Sequence, residues 1–438
     1  MKWIFFIATL FSSEYSYASY PEVERLDQGG YRYILGVFAA RESRSDLHKL
    51  ARDANFMIFN IHHTSTLDKR NNCLRDVYFL KLESKGFVWY KAKKAPIPHF
   101  VYDYFFLKNK KYLQKKSGKS LRRRMKIHDG ITFLNDPELV SKVSNKKDFA
   151  FAMQAANLNH PATYEFNEKN LLKLIERNDL VFVKPIYGSG GKGIFIVEKL
   201  EEDRFNLTIN IPKTAEILEH GIYEPISEFS TFYKVHFEKL DHVGMFSIIQ
   251  SIARTIFNYS IGDYIVQQGI YSSTLAGRKF DLRITTQRNR GNQVQVTGSL
   301  LRVGGNISQG GYFAKSSLIA EFAGDQSEIL LDTARTLAIA SHKAIEQLLP
   351  GKSLAELGID IIFDGKGVPV VIEANAKPGY ISILKHYEQQ FTGIEPNGVF
   401  KVLNAMDQLR NATLLDYTVF LDENLRNSLQ ESSFSSLF

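Results

Sequence analysis

Apolar and polar positions along this chain switch between a strand-like and a helix-like spacing. From Tyr31, "YRYILGVFAA" is a nearly continuous apolar run and predicts a buried strand. "RESRSDLHKLARDAN" has helical spacing, and "FMIFNIHH" predicts a second strand. Strand, helix, strand is the βαβ order of a parallel sheet. "KGFVWYKAKKAPIPHFVYDYFF" adds short strands broken at Pro96 and Pro98. Residues 20–134 therefore form a first α/β unit.

"NDPELVSKVSNKKDFAFAMQAANL" predicts a helix with Asn135 as its N-cap and Pro137 in its first turn, ended by His160-Pro161. "LLKLIERND" predicts a further helix, and "RFNLTIN" a returning antiparallel strand. These place a second unit over 135–220 and a helical connection over 221–262. A third unit, 263–391, runs through "YIVQQGI", "KFDLRITTQRN", "QVQVTGSLLRVGG", a helix around Thr333 to Leu349, "GIDIIFD" and "PVVIEAN". Strands with one long helix predict an α+β sheet covered on one face. The remainder, 392–438, reads as a polar helical tail with a Ser-rich, disordered end. No internal repeat is visible.

Composition narrows the class. At roughly 150 residues per domain, 438 residues make about three units. A 44% hydrophobic, 23% charged chain is of ordinary globular type and buries its own core. The single cysteine, Cys73, excludes an intramolecular disulfide and a cysteine-based zinc cluster. The net charge of +8 is concentrated: "KNKKYLQKKSGKSLRRRMK", residues 108–126, carries ten basic residues and no acidic one. Such a run is a solvated helix face or a contact for an anionic partner. No RNA-binding or zinc-finger signature accompanies it, so no nucleic-acid partner is expected. Residues 1–19 read as a secretory leader, an N-terminal extension or a buried strand; the apolar run from Trp3 to Phe11 is too short to span a bilayer. No later segment reads as transmembrane.

The chemistry begins at "VFVKPIYGSGGKGIFIVEK". Gly188, Gly190 and Gly193 satisfy G-x-G-x-x-G, but β-formers follow where a dinucleotide fingerprint needs a helix. Gly193 stands where a Walker A loop has Ser or Thr. Protein-kinase loops have their lysine on a later strand, whereas Lys184 precedes this one. A glycine-rich turn between strands lets backbone N–H groups approach phosphate oxygens, with Lys184 and Lys192 adding charge. The plain alternative is a surface hairpin with solvated lysines.

The far end of the chain tips the balance toward phosphate. In "GIDIIFDGKGVPVVIEANAKPG", Glu373 and Asn375 are two apart and share a strand face, and Asp360 lies on the preceding β-run across a "DGKG" turn. Three oxygen donors on one apolar-flanked sheet surface suit Mg²⁺ or Mn²⁺. Arg283 in "FDLR" and Arg302 in "TGSLLRVGGNISQGG" add cations on β-runs. His62-His63 read as turn or core residues rather than metal ligands, and "HFVYDYFF" as core. Trp3 and Trp89 carry no motif.

In this order, Lys146 in "NKKDF", Lys184 in "VFVKP", the "GSGGKG" loop, "YIVQQGI", "FDLR", Arg302 with "GGNISQGG", and "GID…IEANAKPG" resemble the motif set of ATP-grasp enzymes, most closely the YheC/YheD type, described as endospore coat-associated. The resemblance runs from about Leu134 to Ile383. It implies an ATP-grasp fold of two α+β lobes, with the first unit as a pre-ATP-grasp α/β domain. It implies that Lys146 and Lys184 contact nucleotide phosphates and that Gly188, Ser189, Gly190, Gly191, Lys192 and Gly193 close over the β- and γ-phosphates. Gln268 and Ile270 would lie at the adenine hinge, where many members have an acidic residue. Arg283 and Arg302 would bind the γ-phosphate and acyl phosphate, and Asp360, Glu373 and Asn375 would hold two Mg²⁺. The implied reaction is ATP-dependent ligation of a small-molecule or peptide carboxylate to an amine through an acyl phosphate; its need for ATP points to the cytoplasm, while the resemblance itself would allow spore or coat association. The alternatives are an ATP-grasp kinase and a nucleotide-binding coat protein with little catalysis. Substrate choice is expected in the first unit, near "YKAKKAPIPHF" and the basic run.

Overall fold

Among the described residues the alternating runs assemble into three sheets, one in the first of two units and two in the second. The structure is a computed structural model that describes residues 20–26, 31–38, 47–50, 55–84, 86–103, 121, 125, 131–188, 191–200, 204–213, 221–225, 232–275, 277–304, 312–376, 408–421 and 423. The units are Met1–Leu134 and Asn135–Phe438. Residues 1–19 and nearly all of the basic run 108–126 lie outside the described residues; within that run, Leu121 and Met125, four apart, are helical and buried in the core of the first unit.

The first sheet contains β1 (Glu22–Arg25), β2 (Tyr33–Phe38), β3 (Phe56–Asp68), β4 (Cys73–Glu83), β5 (Gly86–Pro96), β6 (Phe100–Asp103) and β7 (Thr132–Phe133), in the order β1-β5-β4-β3-β2-β6-β7. The βαβ pattern yields the expected parallel pair β2–β3, with β6 parallel on the other side of β2. The sheet is nonetheless mixed. Only short turns join β3 to β4 and β4 to β5, and a short turn can only return the chain antiparallel. Acidic β1 lies parallel to lysine-rich β5, with Glu22 3.1 Å from Lys91 and Glu24 3.3 Å from Lys94. His62 is a core residue of β3, as expected, edge-on to Tyr78.

The second unit opens with two helices rather than one, α1 (Pro137–Ser144) and α2 (Lys146–Ala155). Asn145 breaks them with an extended backbone and caps α2. The N-cap of α1 is Asp136, not Asn135: its Oδ1 accepts from Glu138 N–H at 2.8 Å. Asn135 is buried instead and donates to the carbonyls of Glu356 and of Ala376, 221 and 241 residues away in the chain. Both helices pack their apolar faces (Leu139, Val143, Phe149, Met153) into the core of that last sheet.

The middle sheet runs β12-β13-β11-β10-β9-β14-β8 and is antiparallel throughout. Its strands are β8 (Thr163–Glu165), β9 (Leu180–Pro185), β10 (Phe195–Lys199), β11 (Phe205–Pro212), β12 (Ile222–Pro225), β13 (Phe232–Leu240) and β14 (Tyr264–Gln268). Helices α3 (Glu168–Ile175) and α4 (His242–Thr255) add Leu171, Leu174, Met245 and Ile249 to its core. Among the described residues of the stretch 221–262, expected to be a helical connection, helix begins only at His242. "FYKVHFEKL" has period two, burying Val235 and Phe237 and leaving Lys234 and Glu238 outside, so it joins the sheet as β13.

The last sheet contains β15 (Thr274–Leu275), β16 (Arg278–Arg288), β17 (Val294–Val303), β18 (Tyr312–Lys315), β19 (Glu356–Phe363) and β20 (Pro369–Asn375), ordered β18-β17-β16-β19-β20 with β15 on β16. The long helix α5 (Ser327–Glu346) covers one face through Leu331, Ala334, Ala338 and Ile345. A last helix, α6 (408–421), falls in the stretch read as a polar tail, but it has a buried face of Arg410, Leu414, Tyr417 and Thr418. Arg410 is 1% exposed because Glu356, fully buried on β19, takes its guanidinium in a two-pronged pair. Gln287 donates to the Arg410 carbonyl at 2.9 Å.

Candidate functional site

The face of the last sheet opposite α5 is charged. Strand register puts Asp281 opposite Arg302, Arg283 opposite Asp360, and Asp360 opposite Glu373, while the intervening Leu282, Leu301, Ile359 and Ile361 enter the core. Arg283 grips Asp360 with Nε and with Nη2, the latter 2.8 Å from Oδ2. Arg302 reaches the same Oδ2 at 2.8 Å and holds Asp281 Oδ1 at 2.5 Å. Burial opposes every one of these charges. At Asp360 the two guanidiniums win and hold the carboxyl below its ordinary range. Arg302 is likewise opposed by burial but raised by Asp360 and Asp281. Asp281 keeps a net upward shift to about 6, from burial against the pull of Arg302.

Glu373 is raised by burial first and by its contact with Asp360 second. Asn375 Nδ2 lies 3.4 Å from Glu373 Oε1. Asp360, Glu373 and Asn375 are thus brought onto one surface, as the sequence implied. Among the described residues no three His, Cys, Asp or Glu side chains form a metal cluster. The oxygen set here is two carboxylates and an amide. Hard oxygen donors of this kind, abutting on one surface, fit a divalent ion such as Mg²⁺.

Opposite this surface stand the lysines. Lys184 is on β9, and Lys146 is the first residue of α2. Burial lowers the Lys184 ammonium to about 8, with Lys146 adding to the shift and Glu373 opposing it. Burial also lowers Lys146, again against the pull of Glu373. Both cations are therefore close enough to feel the Glu373 carboxylate. Lys184 Nζ donates to Gln267 Oε1 at 2.5 Å and lies 4.8 Å from the centre of the Phe182 ring. Lys146 Nζ donates to the Gly188 carbonyl at 3.0 Å, tying α2 to the mouth of the glycine loop.

That loop joins β9 to β10, which pair antiparallel, so it is the inter-strand turn the sequence predicted. Gly191 and Gly193 have φ of +73° and +69°, where a Cβ is disfavoured. Ser189 and Gly190 lie outside the described residues. Lys192 is exposed, its ammonium 5.5 Å from the centre of the Phe232 ring.

Beside Lys184 a cavity of about 180 Å³ opens between the middle and last sheets, lined by Phe182, Lys184, Gln268, Ile270, Asp281 and Ile372 among others. Three of the expected nucleotide contacts, Lys184, Gln268 and Ile270, therefore share one cavity. Its lining is mixed, with Phe182, Ile270, Phe280, Ile362 and Ile372 among polar and charged side chains that include Lys184, Lys279 and Asp281. The sequence reading missed Phe182, Gln267, Gly269 and Asp281. Strand periodicity could have found two of them, because Phe182 and Asp281 lie two residues before Lys184 and Arg283 and so share their faces.

Residues 130–394 match the protein family described as YheC/D-like ATP-grasp. The endospore coat-associated protein YheD of Bacillus subtilis (strain 168) is 22% identical over 249 residues, covering 56% of this chain and 46% of that protein. The chain thus matches under half the length of that relative. Among solved structures, the D-alanine–D-alanine ligase of Bacillus anthracis is similar over 92% of this chain and 100% of its own, at 12% identity and a TM-score of 0.43. The ATP-grasp ligase PsnB, complexed with a minimal precursor, is similar over 86% and 99%, at 12% identity and a TM-score of 0.43. No helix among the described residues is long and apolar enough to cross a membrane.

Proposed function

The chain belongs to the YheC/D-like ATP-grasp family, and on that premise we propose that it is an ATP-dependent ligase that joins a carboxylate to an amine. The observation that carries this reading is the cavity that Lys184 of the middle sheet lines together with Asp281 and Ile372 of the last, Ile372 being the residue before Glu373, whose charge opposes the lowering of both Lys184 and Lys146. Cations on one wall and an oxygen set on the other frame a slot for a triphosphate. The adjoining cavity takes the base, with Phe182 and Ile372 on its walls and the hinge at Gln268–Ile270.

In this reading a carboxylate oxygen of the substrate attacks the γ-phosphorus and the bond to the β-bridging oxygen breaks, releasing ADP and an acyl phosphate. The amine nitrogen then attacks the acyl carbon, phosphate leaves with the amine proton, and an amide remains. Lys184 and Lys146 hold the phosphate oxygens, and Arg283 and Arg302 meet the charge that develops on the transferred group. Asp360, Glu373 and Asn375 would hold Mg²⁺, which would neutralise further phosphate charge there. Positioning and electrostatics supply most of the rate, so no general base need be sought among the side chains. The glycine loop covers the phosphates and keeps water from the acyl phosphate. Dependence on ATP favours a cytoplasmic site of action.

The test is ADP formation with Mg-ATP against panels of carboxylates and amines, read with product mass. ADP formed only when both partners are present, with a product heavier than the carboxylate by the amine less water, is the expected result. A phosphorylated product stable to amines means a kinase. Absence of turnover across the panels despite tight Mg-ATP binding means a nucleotide-binding protein without ligase activity.

A further inference from the structure

Gln267 is 4% exposed and lies on β14, in register with Phe182 of β9. Its Oε1 accepts from Lys184 Nζ at 2.5 Å, and its Nε2 donates to Thr163 Oγ1 at 3.0 Å. Thr163 in turn donates its hydroxyl to the Pro161 carbonyl at 2.8 Å. The chain of donors runs one way, from Lys184 through Gln267 and Thr163 to a backbone acceptor. A backbone carbonyl can only accept, so the Thr163 hydroxyl must donate to it, which leaves Thr163 Oγ1 to accept the amide N–H and turns the amide oxygen toward the lysine. His160 Nε2 lies 3.5 Å from the same amide nitrogen, and burial followed by the Lys184 charge lowers its pKa to about 4, so the ring is neutral at neutral pH and accepts there in its Nδ1–H tautomer. The Thr163 relay thus enforces one amide orientation.

We infer that Gln267, held by Thr163, is a positioning residue that aims the Lys184 ammonium into the cleft. The inference rests on the proposed nucleotide role of Lys184 and adds to it. A lysine has four side-chain torsions and loses rotamer freedom when fixed. A preset acceptor removes part of that cost before nucleotide arrives. Gln267 then acts through Lys184, and its contribution exists only while Lys184 is present.

A double-mutant cycle tests this, read as the affinity for a non-hydrolysable ATP analogue with Mg²⁺ by titration calorimetry on the full chain. Thermal melts establish that each variant is folded. Lys184→Ala should weaken binding about tenfold or more. Gln267→Leu should weaken it about three- to tenfold in the wild-type background and leave it unchanged in the Lys184→Ala background. Thr163→Val should show a smaller effect with the same dependence on Lys184. Gln267→Glu keeps the acceptor toward the lysine and should retain affinity within about threefold. Should Gln267→Leu not fold, the other two variants carry the measurement. Equal effects of Gln267 and Thr163 variants with and without Lys184 overturn the inference, because Gln267 would then touch the nucleotide itself or act on the fold. A Lys184→Ala variant with unaltered affinity overturns the nucleotide role of Lys184, a distinct failure.

Discussion

Asp360 and Glu373 stand opposite each other on β19 and β20, and a bulge in β20 puts them there. Register pairs Ile361 with Val371 but Asp360 with Glu373, so Ile372 has no partner across the ladder. Without that extra residue, Val371 and Glu373 would share a face. With it, Val371 enters the core, fully buried, and Glu373 turns to the cleft.

Glu373→Gln removes one of two abutting buried carboxylates. The nucleotide-free protein should gain about 1 kcal/mol, or about 2–4 °C in Tm, because the repulsion from Asp360 disappears. The same variant should lose the Mg²⁺ dependence of nucleotide affinity. Melting curves with and without Mg²⁺ and an ATP analogue check both; an unaltered Mg²⁺ dependence refutes the ligand role.

Lys184→Ala should lower ADP formation by about two to three orders of magnitude, because a preset charge is removed from the phosphate slot. Lys184→Arg should recover little, since a planar guanidinium does not replace the ammonium held by Gln267. Steady-state kinetics decide; wild-type rates for Lys184→Ala would be incompatible with the assignment.

Acid stability depends on the buried pair Arg288–Glu346. Arg288 Nε donates to Glu346 Oε1 at 2.9 Å, and Leu354 N–H donates to the same oxygen at 3.0 Å. Burial opposes the Glu346 charge, but His342, Arg288 and the Leu354 N–H bring its pKa down from 4.5 to about 2. A depressed carboxyl pKa stabilises the fold above the unfolded value and is lost as pH falls through the folded one. Up to about 3 kcal/mol should therefore disappear between pH 5 and about pH 2. Urea midpoints across that range, for wild type and Glu346→Gln, should converge at the acid end; parallel curves would refute it.

Arg410→Met leaves Glu356 buried without its guanidinium and should cost about 3–5 kcal/mol. Adding Glu356→Gln removes the stranded charge and should recover more than half of that loss. Denaturant unfolding of the four proteins measures it, and additive losses would show that the two side chains do not act as a pair.

Gly269→Ala places a Cβ 2.3 Å from Leu180 Cγ and 2.7 Å from the Leu180 carbonyl oxygen. Because Gly269 N–H donates to that carbonyl at 2.8 Å, β14 cannot move off without breaking the bond. A loss of about 1–3 kcal/mol, with weaker nucleotide binding, is expected. Melting temperature and calorimetric affinity report it; wild-type values for both would show the clash is absorbed.

The expected site residues fall into groups by how local their evidence was. Glu373 and Asn375 were legible because strand periodicity fixes their common face. The glycine loop was legible because β-formers flank it and exclude a helix. Asn135 was misread because Ser, Asn and Asp all cap helices, and the choice of Asp136 depends on Asn135 being claimed by Glu356 and Ala376, over 200 residues away. The polar-tail reading of α6 failed for a similar reason. An arginine reads as exposed unless its buried partner is known, and Glu356 is distant in sequence.

The sequence by itself determined most of the strands, the common face of Glu373 and Asn375, and the order of the cationic and acidic motifs, since these follow from side-chain period and turn chemistry within a few residues. The tertiary structure alone decided that α1 and α2 pack on the last sheet, so that Lys146 comes from one core and Lys184 from the other. It also decided that Asp360 is held by two arginines. Those outcomes depend on which strands become neighbours, and pairing between residues far apart in the chain is set by the total burial and charge balance of the fold, not by any local pattern.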